Sequence, residues 1–288
     1  MTSLRQTLHQ TAINIKVEHT VFALPFAYLG LFLANKQFPG WQPLILVTLA
    51  MVAARTAAMS FNRYLDRHFD ARNPRTSIRP IPAGTLSAKS VLIVGLVSLT
   101  VLVISAGLLN PLCLLLSPIA LIALTGYSYM KRFTWLCHFG LGFTDAIAPA
   151  GGWLAVDPNF RLSMLLLAAA VGIWIAGFDL IYACQDVDFD RREGLHSLPA
   201  RFSIATSLRV AKICHIAMIG LLLAVGVSLS LSWPFYVGVA AAAGLLVYEH
   251  SLINPRDLSK IDIAFFNVNS YIAGVLFLFT LTSLYVGN

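Results

Sequence analysis

Charge is scarce in this chain. Of its 288 residues, 11% are Asp, Glu, Lys or Arg, whereas a soluble domain averages about 25%. Hydrophobic residues make up 58% of the chain, and the mean hydropathy is +0.76. A soluble fold of this length would leave much of that apolar surface in water. The composition therefore excludes a soluble domain and indicates an integral membrane protein.

Cysteine is scarce too. The four cysteines lie in or beside apolar segments at unrelated spacings, which excludes a disulfide framework and a zinc site. The first 18 residues lack a short apolar core followed by a small-residue cleavage site. We therefore expect the first apolar helix to be retained as an anchor rather than removed as a signal peptide. We expect one transmembrane domain over residues 1–288.

What the chain does contain is a series of long apolar segments. A helix needs roughly 20 mostly apolar residues to cross a bilayer. The sequence predicts an all-α integral membrane fold, with about nine transmembrane helices around a central cavity. The predicted spans are 19–34, 43–62, 90–108, 111–130, 138–156, 163–184, 210–230, 233–250 and 264–285.

The basic residues are distributed unevenly between these spans. If the N-terminus is cytoplasmic, all but three of the 20 Lys and Arg fall on the cytoplasmic side. Lys36 and Arg161 are on the opposite side, and Arg55 lies within a span. Cytoplasmic loops are enriched in Lys and Arg. We therefore predict a cytoplasmic N-terminus in a bacterial inner membrane, which explains the basic isoelectric point without nucleic acid.

Two acidic stretches follow the second and sixth predicted spans: FNRYLDRHFD at 61–70 and YACQDVDFD at 182–190. They open two long loops, at about 63–89 and 185–209. Shifting the sequence by 120 residues places Asp66 on Asp186, and Asp70 on Asp190 in the same way. This register predicts two four-helix pseudo-repeats plus one further helix.

The spacing within these stretches indicates a metal site. Helical positions four apart drift by only about 40°, so acids four apart form a ridge. Two carboxylate ridges that face each other need cations between them. Oxygen ligands at this density favour Mg²⁺. The predicted metal-binding residues are Asn62, Asp66, Asp70, Asp186 and Asp190.

Basic residues beside the ridges indicate the partner of the metal. Mg²⁺ in proteins usually shares its shell with phosphate oxygens, and Arg72, Arg79, Lys131 and Arg192 suit the remaining phosphate charge. The apolar fold suggests a substrate with a hydrocarbon chain, and an allylic diphosphate fits both features. Metal ions would stabilise the departing diphosphate, and a nucleophile would trap the allylic cation.

Two further ionisable residues lie one level deeper in the spans. Arg55 precedes Asn62 by seven residues, and Asp179 precedes Asp186 by seven. Arg55 either faces the same cavity as the first ridge or forms a structural ion pair with Asp145 or Asp179. For the scattered histidines, such as His138, we favour a packing or interfacial role.

At this point the sequence resembles a known family. RTAAMSFNRYLDRHFD at 55–70 resembles the R-x6-N-D-x-x-D-x-x-x-D signature of the UbiA superfamily of intramembrane prenyltransferases. GFDLIYACQDVDFDRREGLHSLPARF at 177–202 is similar to the second aspartate motif of that family, and YSYMKRFT at 127–134 resembles a third element. Overall the chain is most similar to the 4-hydroxybenzoate polyprenyltransferases. IKVEHTVFALPFAYLG at 15–30 looks more like a branch that prenylates a dihydroxynaphthoate.

The resemblance implies roles for residues already singled out. The five metal-binding residues would hold a Mg²⁺–diphosphate, and Arg79 and Lys131 would contact phosphate oxygens. Arg55 would reach either the diphosphate or the carboxylate of an aromatic acid. The Asp of the family signature is replaced by Arg63, which we expect to point away from the Asn62–Asp66 face.

A reaction follows from these roles. The aromatic ring would attack the allylic cation ortho to its hydroxyl group. The proton would pass to Asp179, Asp188 or the released diphosphate. The 71–89 and 191–209 loops would form a lid that excludes water.

Three alternatives make different demands on the sequence: a second acceptor within the family, a secondary transporter and another membrane transferase. Within the family, the acceptor is either an aromatic acid of the 4-hydroxybenzoate type or, in menaquinone synthesis, 1,4-dihydroxy-6-naphthoate. A secondary transporter would also carry internal repeats, but its acids would lie near the bilayer midplane, whereas these cluster at one surface. A CDP-alcohol phosphotransferase would need a D-G-x-x-A-R opening, which the sequence lacks.

Overall fold

The computed structural model describes the backbone of residues 4–286 and the side chains of residues 9–16 and 24–286. Helices account for the regular structure of these residues, apart from one isolated β-bridge between Asn254 and Asp257. The α-helices are α1 (Leu4–Ile15), α2 (Val17–Asn35), α3 (Trp41–Arg72), α4 (Ala88–Leu109), α5 (Pro111–Met130), α6 (Cys137–Leu154), α7 (Leu162–Tyr182), α8 (Val187–Arg192), α9 (Leu198–Arg201), α10 (Ile204–Ser228), α11 (Trp233–Ser251) and α12 (Asn269–Val286). A 3₁₀-helix (Ala183–Asp186) joins α7 to α8, and a π-helix (Ile263–Val268) precedes α12.

All nine predicted spans are helical over the described residues, but not all of them meet a strict criterion for crossing a membrane. Six segments are long and apolar enough by length and composition: Trp41–Arg72, Ala88–Leu109, Pro111–Met130, Leu162–Arg192, Ile204–Ser228 and Ile263–Val286. The structure thus confirms an all-helical membrane fold and leaves the count of nine crossings as a prediction.

Local sequence explains where several helices begin. Ser87, Asn110 and Ser203 are N-caps whose side-chain oxygens accept hydrogen bonds from backbone N–H groups of the first turn. Such a cap satisfies a donor that the helix itself leaves unpaired. Asn110 is followed by Pro111, which lacks an N–H and favours the first helical position. The α4–α5 turn is therefore as tight as Pro111 predicts.

The two acidic stretches are built differently. α3 continues to Arg72, ten residues beyond the predicted end of its span, so Asn62, Asp66 and Asp70 lie on one continuous helix. The second stretch is interrupted, because α7 ends at Tyr182 and the 3₁₀-helix intervenes before α8. A 3₁₀-helix has 3.0 residues per turn rather than 3.6. Residues on either side of it therefore lose the simple four-residue register.

α6 packs against α2 on one side and α7 on the other without intervening side chains. A Cβ atom at Gly30 in α2 would overlap the carbonyl oxygen of Pro149 in α6. A Cβ atom at Gly142 in α6 would overlap the carbonyl oxygen of Gly172 in α7. Small residues allow such close backbone approach between membrane helices. This packing fixes α6, which carries two of the deep polar residues of the cavity.

Candidate active site

One cavity of about 370 Å³ is lined by acidic residues from both stretches. It lies among α3, α5, α6, α7 and the π-helix, and Asp66, Asp70 and Asp186 line it. The two stretches therefore face a common space although 120 residues separate Asp66 from Asp186. The other charged residues of its wall are Lys16, Arg55, Arg63, Arg75, Arg79, Lys131, Arg132, Asp145 and Asp179.

The carboxylates of α3 are each paired with a basic side chain. Arg132 Nη2 lies 3.2 Å from Asp66 Oδ1, and Arg79 Nη1 lies 2.6 Å from Asp70 Oδ1. Asn62 donates from Nδ2 to Asp66 Oδ2 at 3.2 Å, so the predicted Asn62–Asp66 ridge exists. The Oδ2 atom of Asp70 is buried without a hydrogen-bond partner among the described side chains.

Asp186 is held by a fork of donors from the loop after α3. Arg75 donates from Nε to Oδ1 at 3.0 Å and from Nη2 to Oδ2 at 2.5 Å. Asn73 donates from Nδ2 to Oδ1 at 3.0 Å. Burial by itself lowers the pKa of Arg75, but the Asp186 carboxylate beside it leaves that pKa raised. Arg75 therefore stays cationic beside the carboxylate.

Asp190 does not join Asp186 on the cavity wall, contrary to the predicted second ridge. Its side chain is 0% exposed. Its Oδ2 accepts a 2.6 Å hydrogen bond from the Ser197 hydroxyl, and its Oδ1 lies 2.8 Å from Lys131 Nζ. The physical reason lies at Asp186, the last residue of the 3₁₀-helix, whose φ of −102° and ψ of 9° depart from α-helical values just before α8 begins. Lys131 lines the cavity between Asp190 and the open space.

Three other residues predicted to belong to the site lie outside the cavity. Arg72 pairs with Glu193 at 2.6 Å, and Arg192 is exposed and donates to the Asp188 carbonyl, so neither is part of the cavity wall described above. Asp188 is exposed as well, which places it away from the cavity and removes it as a candidate base. These residues lie at the outer surface because they end α3 or fall on the outer face of the short α8.

Arg63 also departs from expectation. We expected it to point away from the Asn62–Asp66 face, but it is 6% exposed and lines the cavity. Its Nη1 donates to Asn62 Oδ1 at 3.1 Å. A long flexible side chain can bend back along the helix to a neighbouring polar group. The position that carries Asp in the family signature therefore adds a cation beside the ridge.

A second polar group lies deeper in the cavity. Arg55 Nη1 is 3.9 Å from Asp145 Oδ1, at the limit of an ion pair, while Arg55 Nε is buried without a hydrogen-bond partner among the described residues. Asp179 does not pair with Arg55. Its Oδ2 lies 2.6 Å from Nδ1 of His138 instead. The deep end therefore holds one loosely paired guanidinium group and one His–Asp pair.

Aromatic rings line the remaining wall in an unbroken series. Trp174 contacts Phe26 and Phe178, Phe178 contacts Phe265, and Phe265 stacks on Tyr182 with centroids 4.1 Å apart. Arg75 lies over the Tyr182 ring at 5.2 Å, so the series reaches the ion pair with Asp186. Such faces attract cations. The wall suits an apolar chain that carries positive charge at its polar end.

The π-helix is fixed by one side chain. Asn269 Nδ2 donates to the carbonyls of Ala264 and Phe265, both at 3.1 Å. Its Oδ1 accepts a 2.8 Å hydrogen bond from the Trp174 indole. π-Helices occur frequently at functional sites. Here the irregular turn places Phe265 in the aromatic series.

Sequence reasoning missed several residues of the site. Arg75 and Asn73 lie in a loop without periodicity, and Arg132 follows Lys131 directly, so no pattern separated them from other polar residues. His138 stands alone in an apolar helix. Ser197 lies in the loop after the second acidic stretch, where nothing in the sequence marks it as a partner of Asp190. The signal they share is proximity in sequence to an acidic stretch or to Lys131, which is weak.

The oxygen donors of the cavity decide whether it can hold a divalent metal ion. Over the described residues, no three His, Cys, Asp or Glu side chains are grouped closely enough to hold a metal ion. However, the cavity presents carboxylate and amide oxygens from α3 and Asp186, and the buried Asp70 Oδ2 lacks a partner. Oxygen donors of this type suit Mg²⁺, which needs only one or two carboxylates when phosphate completes its shell. The residues therefore fit a metal that arrives with a phosphate group.

Known proteins are similar to this chain over most of its length. A protein named 4-hydroxybenzoate octaprenyltransferase from Aliivibrio salmonicida is 34% identical over 86% of each chain. One of the same name from Edwardsiella ictaluri is 36% identical over 89% of each chain.

Solved structures share the fold. A UbiA homolog from Aeropyrum pernix has a TM-score of 0.84 and 32% identity, over 92% of this chain and 98% of that one. A UbiA homolog from Archaeoglobus fulgidus bound to GPP and Mg²⁺ has a TM-score of 0.74 at 17% identity, over 96% and 99% of the two chains. The sequence profile of the UbiA prenyltransferase family matches residues 23–271 of this chain. The chain therefore belongs to the UbiA prenyltransferase family.

Proposed function

We propose that this protein transfers a polyprenyl group from a polyprenyl diphosphate to 4-hydroxybenzoate in quinone biosynthesis. The observation that carries the proposal is one cavity in which Asp66, Asp70 and Asp186 stand among basic side chains, above an aromatic wall. The names of the relatives from Aliivibrio and Edwardsiella support the acceptor. The dihydroxynaphthoate acceptor suggested by the 15–30 segment has less support, because these relatives are named for the benzoate.

We assign the diphosphate end of the cavity to the following residues. Asn62, Asp66, Asp70 and Asp186 would hold Mg²⁺, the metal with which a homolog from Archaeoglobus was solved. When bound, the ion neutralises charge that develops on the departing diphosphate. Asp190 acts through Lys131, because it is buried behind that ammonium group. Arg75, Arg79 and Arg132 exchange their carboxylate partners for phosphate oxygens, while Lys131 keeps Asp190 and donates a further hydrogen bond to a phosphate oxygen.

The reaction begins when the allylic carbon–oxygen bond breaks and its electron pair leaves with the diphosphate. Phe178, Phe265 and Tyr182 shelter the resulting cation through their ring faces. The ring carbon ortho to the acceptor hydroxyl then forms the new carbon–carbon bond. The loops that follow the two acidic stretches exclude water, which would otherwise trap the cation.

We place the acceptor carboxylate at Arg55. Its Nε is buried and unpaired among the described side chains, and its Asp145 contact is long. A guanidinium group binds a planar carboxylate through two parallel hydrogen bonds. In this pose the ring of the acceptor lies between Arg55 and the aromatic wall.

We further propose nine membrane crossings in one domain, with the N-terminus and the mouth of the cavity on the cytoplasmic side. The excess of Lys and Arg in alternate loops supports this orientation. Helices α2, α6 and α11 then supply the three crossings beyond the six that meet the length and hydropathy criterion. The packing of α3 on α4 and of α7 on α10 supports the two pseudo-repeats.

The proposed function is tested with purified protein in lipid nanodiscs and octaprenyl diphosphate. 4-Hydroxybenzoate and 1,4-dihydroxy-6-naphthoate are offered separately, and prenylated product is measured by mass spectrometry. We expect product with the benzoate, loss of product with EDTA, and recovery when Mg²⁺ is added in excess. Product with the naphthoate alone would overturn the acceptor assignment. Undiminished product in EDTA would overturn the metal assignment.

The Arg55→Lys variant tests the acceptor pose. A charge-assisted hydrogen bond contributes about 1.5–3 kcal/mol, so we expect KM for 4-hydroxybenzoate to rise roughly 10- to 100-fold. KM for the polyprenyl diphosphate stays within about twofold. As a control, 4-hydroxybenzyl alcohol lacks the carboxylate and should react equally with both proteins. A rise in KM for the diphosphate instead would place Arg55 at the phosphate.

A further inference from the structure

His138 lies at the start of α6 and makes a specific hydrogen bond at each ring nitrogen. Its side chain is 3% exposed, yet it lines the cavity. Nδ1 lies 2.6 Å from Asp179 Oδ2, and Nε2 lies 3.3 Å from the backbone nitrogen of Leu198. Two such contacts distinguish it from a histidine that only fills space.

These partners determine where the ring proton lies. A backbone N–H can only donate, so Nε2 of His138 must accept from Leu198. The neutral ring then carries its proton on Nδ1 and donates it to Asp179. Asp179 therefore receives a directed hydrogen bond on Oδ2, while its carboxylate remains 25% exposed on the cavity wall.

The segment that contacts His138 also contacts the diphosphate end of the cavity. The His196 N–H donates to the Lys131 carbonyl at 2.7 Å, and the Ser197 hydroxyl donates to Asp190 at 2.6 Å. The next residue, Leu198, binds His138. Three successive residues thus hold Lys131, Asp190 and His138 in fixed relation to one another.

We propose that His138 is a positioning residue that holds the Asp179 carboxylate ready to remove the proton from the prenylated ring. The inference rests on the proposed function. A base oriented by a third group is a recurring arrangement in enzymes. Asp145 and its partner Arg55 are the other charged groups at this depth, and Arg55 is assigned to the acceptor carboxylate.

The step balances as follows. The diphosphate has left with the electron pair of the carbon–oxygen bond, and the new carbon–carbon bond leaves the ring carbon with both the prenyl group and its hydrogen. Asp179 accepts that hydrogen as a proton, and the carbon–hydrogen electron pair restores the aromatic ring. The proton then passes from Asp179 to the released diphosphate, and His138 keeps its own proton throughout.

Two matched substitutions separate the two contacts of His138. In His138→Asn, the side-chain amide takes a place near Nδ1 and can still donate to Asp179. In His138→Gln, the longer side chain reaches the place of Nε2 and can still accept from Leu198. His138→Ala removes both contacts. Thermal unfolding and size-exclusion profiles of each variant report whether it folds.

We measure kcat, both KM values and the ratio of prenyl alcohol to prenylated product. Misplacement of a catalytic group by about 1 Å costs on the order of 100-fold, so we expect kcat to fall roughly 10- to 100-fold in the Gln and Ala variants. Their KM values should stay near those of the wild type. Prenyl alcohol should increase, because a prenylated ring that keeps its extra proton expels the prenyl cation again and water then traps it. His138→Asn should keep most of kcat.

The outcomes distinguish this inference from the proposed function. No transfer by the wild type overturns both. If the wild type transfers the prenyl group and all three variants keep the wild-type kcat, only the positioning role is overturned. An equal fall in all three variants with lowered unfolding temperature assigns His138 to stability and also overturns the role.

Discussion

Asp186→Asn is expected to lower prenyl transfer by at least about 100-fold, whereas Asp188→Asn stays within about twofold of the wild type. Asp186 lines the cavity and accepts hydrogen bonds from Arg75 and Asn73, while Asp188 is exposed at the outer surface. The two substitutions remove the same charge two residues apart. Only one of them removes an oxygen ligand from the proposed diphosphate site.

The measurement is the initial rate with octaprenyl diphosphate and 4-hydroxybenzoate over a series of Mg²⁺ concentrations. In Asp186→Asn we also expect a higher Mg²⁺ requirement, because the ion loses part of its oxygen shell. Asp186→Asn should unfold at a slightly lower temperature than Asp188→Asn, because Arg75 keeps only one of its two acceptor oxygens, and size-exclusion profiles check that both variants fold. Equal rates in the two variants would remove Asp186 from the site.

Lys131→Met is expected to destabilise the protein and to abolish transfer, and a second substitution should separate these effects. Burial alone lowers the pKa of Lys131, but the Asp190 carboxylate raises it above its usual value. Removing the ammonium group leaves Asp190, which is 0% exposed, as an uncompensated charge. Breaking a buried pair in this way costs about 3–5 kcal/mol.

The Lys131→Met/Asp190→Asn double variant removes both charges. We expect most of the lost stability to return, because a neutral amide can still accept from the Ser197 hydroxyl. Transfer should remain at least about 100-fold low, because no cation at this position contacts the phosphate oxygens. Unfolding temperature and rate are measured on the same preparations. Recovery of the rate in the double variant would show that Lys131 serves only to neutralise Asp190.

Particular residues show how far the sequence determines this site. Asn62, Asp66 and Asp70 were predictable because four-residue spacing on a continuous helix places side chains on one face. Asp190 was not, because in the second stretch the helix is interrupted at Asp186, where the 3₁₀-helix gives way to α8. The length of the apolar segments identified the helices, because every helix that crosses the hydrocarbon core needs roughly 20 mostly apolar residues.

The residues that escaped prediction are held by contacts distant in sequence. Arg75 reaches Asp186 across 111 positions, and His138 reaches Asp179 across 41. Neither contact follows a helical period, so neither leaves a pattern in the chain. The family signature likewise did not predict that Arg63 would turn into the cavity, because its family counterpart is an acid with a shorter side chain.

The close packing of α6 has a consequence for how substrate range can change. Gly30 and Gly142 bring α6 into backbone contact with α2 and α7, so the wall that carries His138 and Asp145 cannot move outward to admit a larger ring. A protein engineer who wants a bulkier acceptor would therefore shorten Met51 or Met59, which line the cavity from α3. In this scaffold, new substrates come from trimmed side chains on one helix rather than from helices moved apart.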